Sequence, residues 1–240
     1  MEDVAKQEGL KLRKIVSLIS KGHVVVPRNL KREDNFSPRA IGAFTRVKVN
    51  ANIGTSIDYV DVEEEVKKAI VAQKYGADAI MDLSTGGDLD YIRKRIMKVV
   101  KVPFGTVPIY QAAREAKVVV DMSEDDFFKV VEKQARQGVD FMTIHAGINL
   151  ELLEKARKSK RVLGVVSRGG AIIIGWMLHN GQENPYYQDF DYLLEILKEF
   201  DVTVSLGDAF RPGSIFDRDY LKFEEFSVLG KLVEMCREAG

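Results

Sequence analysis

The stretch Ser205-Leu206-Gly207-Asp208-Ala209-Phe210-Arg211-Pro212-Gly213-Ser214 decides the fold. The run Val202 to Leu206 that leads through it is rich in β-branched residues and is read as a buried parallel strand. At its end Gly207 frees the backbone to turn, Asp208 and Arg211 supply opposite charges, and Pro212-Gly213 stops an early helix. Charges at the carboxyl end of a buried strand are costly unless they grip something. The same arrangement recurs along the chain, so the sequence describes a ligand-binding α/β protein.

Outward from this stretch, strand-like runs alternate with helical patterns from Thr45 onward. Six strands are predicted, at 47–51, 79–83, 104–110, 141–145, 162–166 and 202–206. Helices are predicted near 62–75, 89–99, after Ser123, and at 150–158, 171–179, 190–200 and 220–239. For the first of these, Asp61 is a cap, Glu64 follows at capping-box spacing, and Gly76 is the stop. Val62, Val66, Ala69 and Ile70 share its sheet-facing side, as Phe127, Val130, Val131 and Ala135 do in the helix after Ser123. Two helix exits carry one wording, Gly76-Ala77-Asp78 and Gly138-Val139-Asp140, each leading straight into a strand.

Residues 1–44 precede this rhythm as an N-terminal helical arm: one helix over 4–19, an apolar run at 23–26, and a polar connector, 27–42, expected to cross the surface. Alternating strands and helices imply a parallel sheet with right-handed crossovers. Polar groups follow every strand instead of gathering at one switch point, which favours a (β/α)8-type, TIM-like parallel barrel. Six strands leave it two short, so residues 45–240 are read as a partial barrel.

A chain of 240 residues with 45% apolar residues can bury a substantial core. Acidic and basic residues balance at 36 each without a long run of either sign, which argues against a general nucleic-acid or anionic-membrane surface. No apolar run approaches the roughly 20 residues that span a bilayer, and the N-terminus lacks the apolar core of a signal peptide. Cys236 stands alone, so no internal disulfide exists and a cytoplasmic location is expected. His23, His145 and His179 beside one thiol argue against a four-ligand structural zinc site, and one thiolate excludes an iron–sulfur cluster held by this chain alone.

Several strand ends carry chemistry. Asn52, in Asn50-Ala51-Asn52-Ile53-Gly54, can hydrogen-bond a ligand or simply turn the chain. In Met81-Asp82-Leu83-Ser84-Thr85-Gly86-Gly87-Asp88 the glycines let amides approach an anion, although such loops are common and Met81 by itself reads as core. Tyr110, closing Thr106-Val107-Pro108-Ile109-Tyr110, can stack or donate, or be a buried barrel tyrosine. His145, in Thr143-Ile144-His145-Ala146-Gly147, sits at the end of an apolar strand, the place for a ligand or an acid–base group. His23 and His179 have no such context. Ser167-Arg168-Gly169-Gly170 supplies a hydroxyl, a guanidinium and glycine amides at a helix N-terminus, the strongest phosphate signal in the chain. Arg211 would add a second guanidinium, and two can clamp one phosphate through bidentate pairs.

Taken in order, N-A-N-I-G, M-D-L-S-T-G, G-T-V-P-I-Y, T-I-H-A-G, V-S-R-G-G and S-L-G-D-x-x-R-P-G-S make the chain similar to the phosphomethylpyrimidine synthase (ThiC) family of thiamine biosynthesis. The resemblance runs nearly end to end, including 22–29 and Asn184-Pro185-Tyr186-Tyr187. It implies a (β/α)8 barrel that binds aminoimidazole ribonucleotide and rearranges it to 4-amino-5-hydroxymethyl-2-methylpyrimidine phosphate. The implied chemistry is radical: a 4Fe-4S cluster cleaves S-adenosylmethionine. By motif position the implied substrate contacts are Asn52, Met81, Tyr110, His145, Ser167, Arg168, Gly169, Asp208 and Arg211, with Asp208 holding a polar group of the nucleotide.

The family's pattern continues past Gly240 with a strand ending in a glutamate, two zinc histidines and a C-x-x-C-x-x-x-x-C cluster motif, so the resemblance implies no metal ligand in this chain. Cys236 matches none of those cysteines. The expectation is a substrate-binding part, inactive alone, that forms a homodimer or is completed by another chain. Ala209-Phe210 stands where Gly-Leu is commoner, and 216–226 departs from the usual D-A-x-D-x-A-Q-x-x-E-L. Three alternatives stay open: the related hydroxybenzimidazole synthase, a non-catalytic nucleotide-binding fragment or subunit, and a phosphosugar isomerase or aldolase barrel. The last needs a base or Schiff-base lysine at a strand end, and neither Lys48 nor Lys101 is so placed.

Overall fold

A computed structural model of the chain describes residues 1–32, 36–217 and 220–240. Gly9, in the left-handed region at φ +64, breaks the predicted N-terminal helix into α1 (Glu2–Gln7) and α2 (Leu12–Ser20). Val4, Ile15 and Leu18 bury a small apolar cluster with Val24 and Ala40. Val24 lies in β1 (Val24–Val25), which pairs antiparallel with β2 (Ile41–Gly42). The connector between them does not merely cross the surface. Asn29 is fully buried, because its Nδ2 finds two carbonyls, Ala135 at 2.8 Å and Val139 at 2.9 Å. Its residues Glu33-Asp34-Asn35 lie outside the described residues.

Among the described residues the main sheet has five strands in sequential order: β3 (Asn50–Ile53), β4 (Ala79–Asp82), β5 (Phe104–Thr106), β6 (Phe141–Ile144) and β7 (Thr203–Leu206). β3 to β6 pair in parallel, with Asn52 opposite Met81, Asp82 opposite Thr106 and Gly105 opposite Phe141. β7 joins β6 through Thr203 N–H to the Asp140 carbonyl (3.0 Å) and Gly207 N–H to the Ile144 carbonyl (2.9 Å). Sequential parallel order without a reversal belongs to a barrel, not to a doubly wound sheet, so this is the incomplete (β/α)8-type arrangement.

After β3 comes α3 (Val62–Lys74), after β4 comes α4 (Leu89–Met97), and after β5 come α5 (Pro108–Glu115) and α6 (Glu124–Arg136). Between β6 and β7 lie α7 (Leu150–Lys158), α8 (Arg168–Asn180), α9 (Pro185–Gln188) and α10 (Phe190–Glu199), and α11 (Leu221–Ala239) ends the chain. The Asp61 side chain caps α3 by accepting the Glu64 N–H at 2.9 Å. Two compact units divide the chain: 1–106 with 134–142 and 199–203, and 107–133 with 143–198 and 204–240. Ile80, Ile92, Ile96 and Phe104 are fully buried in the first. In the second, Phe127 meets Trp176 and Tyr186 edge-on, with ring centroids 5.3 and 5.2 Å apart.

Four expectations are corrected. Residues 162–166 form no strand: Gly164 takes φ +60, and the Val162 N–H goes to the Asp217 carboxylate (2.6 Å), so among the described residues the main sheet has five strands where six were predicted. The strand predicted at 104–110 stops at Thr106, because Pro108 has no N–H for a ladder and instead starts α5, which puts Tyr110 on a helix. β7 is half-buried along its length, as suits an edge strand with one neighbour. Ile70 is exposed, and Glu65 is buried in its place. Within 216–226, Arg218 and Asp219 lie outside the described residues.

The repeated Gly-x-Asp wording has a physical meaning. Asp140 accepts the N–H groups of Asn29 (2.9 Å) and Phe104 (2.8 Å) and pairs with Arg32 at 3.2 Å. Asp78 accepts the Val49 N–H (3.0 Å), pairs with Arg39 at 2.9 Å, and also binds Arg46. Each aspartate therefore ties the arm to the start of a strand. Burial pushes Asp140 up to about 6 against the pull of Arg32 and the two amides. Burial also pushes Asp78 up, but Arg46, the Val49 amide and Arg39 outweigh it, and the net direction is down.

Candidate functional site

His145 directly follows β6 and is 5% exposed. Its Nε2 lies 3.0 Å from the Ser167 Oγ, which also accepts the Gly170 N–H at 3.2 Å and so caps α8. The Nδ1 of the same ring is buried without a hydrogen-bond partner among the described residues. Glycines make this approach possible. A Cβ on Gly169 would sit 2.4 Å from the imidazole, and one on Gly207 would sit 3.1 Å from it. Asn184, also fully buried, fixes the turn by donating to the carbonyls of His145 (3.0 Å) and Ile148 (2.9 Å). Burial first, and the charge of Arg211 second, push His145 down to about 4 against Asp208, so the ring is neutral at physiological pH.

Arg168, the first residue of α8, is exposed, with its guanidinium 5.1 Å from the centroid of the Tyr110 ring, a cation–π distance. Burial raises the Tyr110 phenol, while Arg168 and Arg211 both pull it down, so two guanidiniums bear on one phenol. Arg211 donates to the Asp208 carbonyl (2.8 Å) and lies 3.5 Å from its carboxylate. Both side chains are substantially exposed, so this pair contributes little stability and is open to exchange for a ligand.

Seven of the nine sequence-predicted residues, Tyr110, His145, Ser167, Arg168, Gly169, Asp208 and Arg211, therefore lie within the second unit. Asn52 and Met81 lie in the first, opposite each other in the β3–β4 register. Asn52 is exposed and accepts a bond from Asn50 Nδ2 (3.3 Å), the same amide that lies 3.6 Å from the Met81 sulfur. The glycines of 81–88 serve packing: a Cβ on Gly86 would meet the Ser56 carbonyl at 2.1 Å, and Thr55 Oγ1 donates to the Gly86 carbonyl at 2.7 Å. Sequence reasoning assigned no role to Asn184 or to Glu225, a fully buried carboxylate on α11. The Asn-Pro-Tyr-Tyr motif was the one signal for the former; the latter looks in sequence like any helix-surface acid.

Two cations, a capped helix N-terminus, a carboxylate and a neutral imidazole with one unused nitrogen form a set suited to an anionic, polar ligand. The model of the Radical SAM ThiC family matches residues 1–240. The chain belongs to the Radical SAM ThiC family. It is 68% identical to the phosphomethylpyrimidine synthase of Archaeoglobus fulgidus, and 55% identical to phosphomethylpyrimidine synthase 1 of Methanosarcina mazei and the phosphomethylpyrimidine synthase of Methanocaldococcus jannaschii. In each case the whole of this chain is matched, but it spans only 56–57% of the relative.

Membership of the Radical SAM ThiC family implies a 4Fe-4S cluster and S-adenosylmethionine. The residues of this chain do not fit that cluster. Cys236 is its one cysteine, and burial pushes the thiol up to about 11, far from the thiolate that iron requires. Among the described residues, no three His, Cys, Asp or Glu side chains are grouped to hold a metal ion. No helix among them is long and apolar enough to cross a membrane.

Proposed function

We propose that this chain is the nucleotide-binding part of a phosphomethylpyrimidine synthase acting on aminoimidazole ribonucleotide. The observation that carries this reading is the Ser167-capped start of α8, where Arg168 lies 5.1 Å over the Tyr110 ring and the capping hydroxyl meets the His145 ring at 3.0 Å. The phosphate takes the two guanidiniums and the N-terminal turn of α8, where Ser167 and Gly169 shape the backbone. Asp208 accepts from a hydroxyl or amine of the nucleotide, and the unpartnered Nδ1 of His145 supplies a further hydrogen bond. Asn52 and Met81 are proposed as contacts on motif position alone.

The cluster and zinc of the synthase reside, in this reading, on polypeptide other than these residues, and the chain by itself cleaves no S-adenosylmethionine. Formation of 5′-deoxyadenosine by the reconstituted chain would overturn that. β3 and β7 each pair on one side only among the described residues, and unpaired edges associate readily. A second copy or a completing polypeptide is therefore proposed to cover them, and a monodisperse monomer in light scattering would count against it. Calorimetric titration with aminoimidazole ribonucleotide tests the central assignment. Binding that is weakened in Arg168→Ala is expected, and equal affinity in that variant removes the phosphate site.

A further inference from the structure

Asp208 and Arg211 sit on a loop that leaves an edge strand, where backbone freedom is greatest. That loop is held from two directions by side chains outside the proposed ligand contacts. Glu225, fully buried on α11, spans two consecutive amides: Oε1 accepts the Ala209 N–H at 2.7 Å and Oε2 accepts the Phe210 N–H at 2.9 Å. Arg161 donates from Nη2 to the Phe210 carbonyl (2.6 Å) and from Nη1 to the Arg211 carbonyl (3.4 Å). Carboxylate and guanidinium thus grip the middle amides and the last carbonyls of 208–211. Gly147, in the turn after His145, packs on the same carboxylate side chain, since a Cβ there would come within 3.0 Å of the Glu225 Cγ.

Space-filling alone does not call for this residue. A buried carboxylate is costly unless its oxygens are satisfied, and an apolar side chain would fill the volume without that cost. What a carboxylate adds is control of two adjacent peptide planes, which set the directions in which Asp208 and Arg211 leave the backbone. In the first unit a buried helix glutamate likewise holds one strand-end amide, its other oxygen being taken by Lys68. Glu65 of α3, 2% exposed, accepts the Gly54 N–H at 2.7 Å, two residues after Asn52.

We propose that Glu225, assisted by Arg161, is a positioning residue that presents Asp208 and Arg211 to the ligand. The identity of that ligand rests on the nucleotide reading above; the clamp does not. In the full chain, Glu225→Gln keeps the volume and one acceptor oxygen but turns an NH2 group toward an amide N–H. Amide exchange at Ala209 and Phe210 is expected to accelerate about tenfold or more, and affinity for aminoimidazole ribonucleotide to fall roughly tenfold, with cooperative unfolding retained. Because Glu225 acts through both loop side chains, Glu225→Gln added to the pair Asp208→Ala and Arg211→Ala is expected to weaken binding less than about twofold further. Full additivity would assign Glu225 to general packing and overturn the proposal, as would unchanged exchange at the two amides. If the parent chain binds no nucleotide, the functional reading fails, and the exchange rates alone then decide the clamp. Should Glu225→Gln lose cooperative folding, Arg161→Met releases the loop from its carbonyl side and is held to the same exchange and additivity outcomes.

Discussion

At the entrances of β4 and β6 stand Asp78 and Asp140; at the exits of β6 and β7 stand His145, Asp208 and Arg211. The entrance carboxylates are fully engaged, each by backbone amide and by arginine from the arm. The exit groups are not. Among the described residues His145 Nδ1 has no hydrogen-bond partner, the Asp208 carboxylate meets Arg211 only at 3.5 Å, and Arg168, which opens α8 and follows no strand, lies over a ring without an ion pair. Polarity at a strand end is therefore no sign of function in itself. What separates the entrance groups from the exit groups is whether their partners are already inside the protein.

The largest test of this contrast is Asp140→Ala, which leaves the Arg32 guanidinium (8% exposed) without its carboxylate, with only the Val100 and Val102 carbonyls as acceptors among the described residues, and strands two amides. A loss of about 3–5 kcal/mol in unfolding free energy, measured with urea, is expected. A variant of wild-type stability would mean that the entrance is as loosely held as the exit.

Acid should sharpen the contrast within the entrances. With its carboxyl pushed up to about 6 from an ordinary 3.8, Asp140 binds its proton more tightly folded than unfolded. Its contribution therefore rises as pH falls through about 6 and is complete near 3.8, amounting to about 3 kcal/mol. Asp78, held low, contributes stability that is present above the ordinary carboxylate value and lost as pH falls through its lowered one. Urea titrations at pH 7 and pH 5 should show wild type gaining on Asp140→Asn in the more acidic buffer. Parallel pH dependence in the two proteins would contradict the assignment.

At the exits and at the start of α8 the balance reverses. Arg168→Ala or Arg211→Ala should weaken nucleotide binding by about 1.5–3 kcal/mol while leaving unfolding free energy within about 0.5 kcal/mol of wild type. A stability loss larger than the binding loss in calorimetry would make these arginines scaffold. The smallest expected effect is none at all. His145, pushed down to about 4, should show ring nitrogen shifts of a neutral imidazole from pH 8 to pH 5.5. A midpoint near the ordinary 6.5 would mean a solvated ring and undo the hub at Ser167.

Much of the scaffold was legible because its signals are local. The cap at Asp61, the span 150–158 of α7 and the runs that became β4, β6 and β7 all depend on residues a few positions apart. The failures have identifiable causes. Val162 lies in an apolar, strand-like run, yet its N–H is taken by Asp217, 55 residues away. Tyr110 was misplaced although Pro108 announced the helix start. Asn29, Asn184 and Glu225 look like surface residues in sequence, and only distant carbonyls and amides make their burial affordable.

Periodicity and motif order by themselves determined that strands alternate with helices, that polar groups crowd the strand ends, and that the serine–arginine–glycine turn opens a helix. Which of those polar groups remain unengaged was settled only in three dimensions. Whether a donor or acceptor is satisfied depends on atoms brought close by folding from far along the chain, and no local pattern encodes that count.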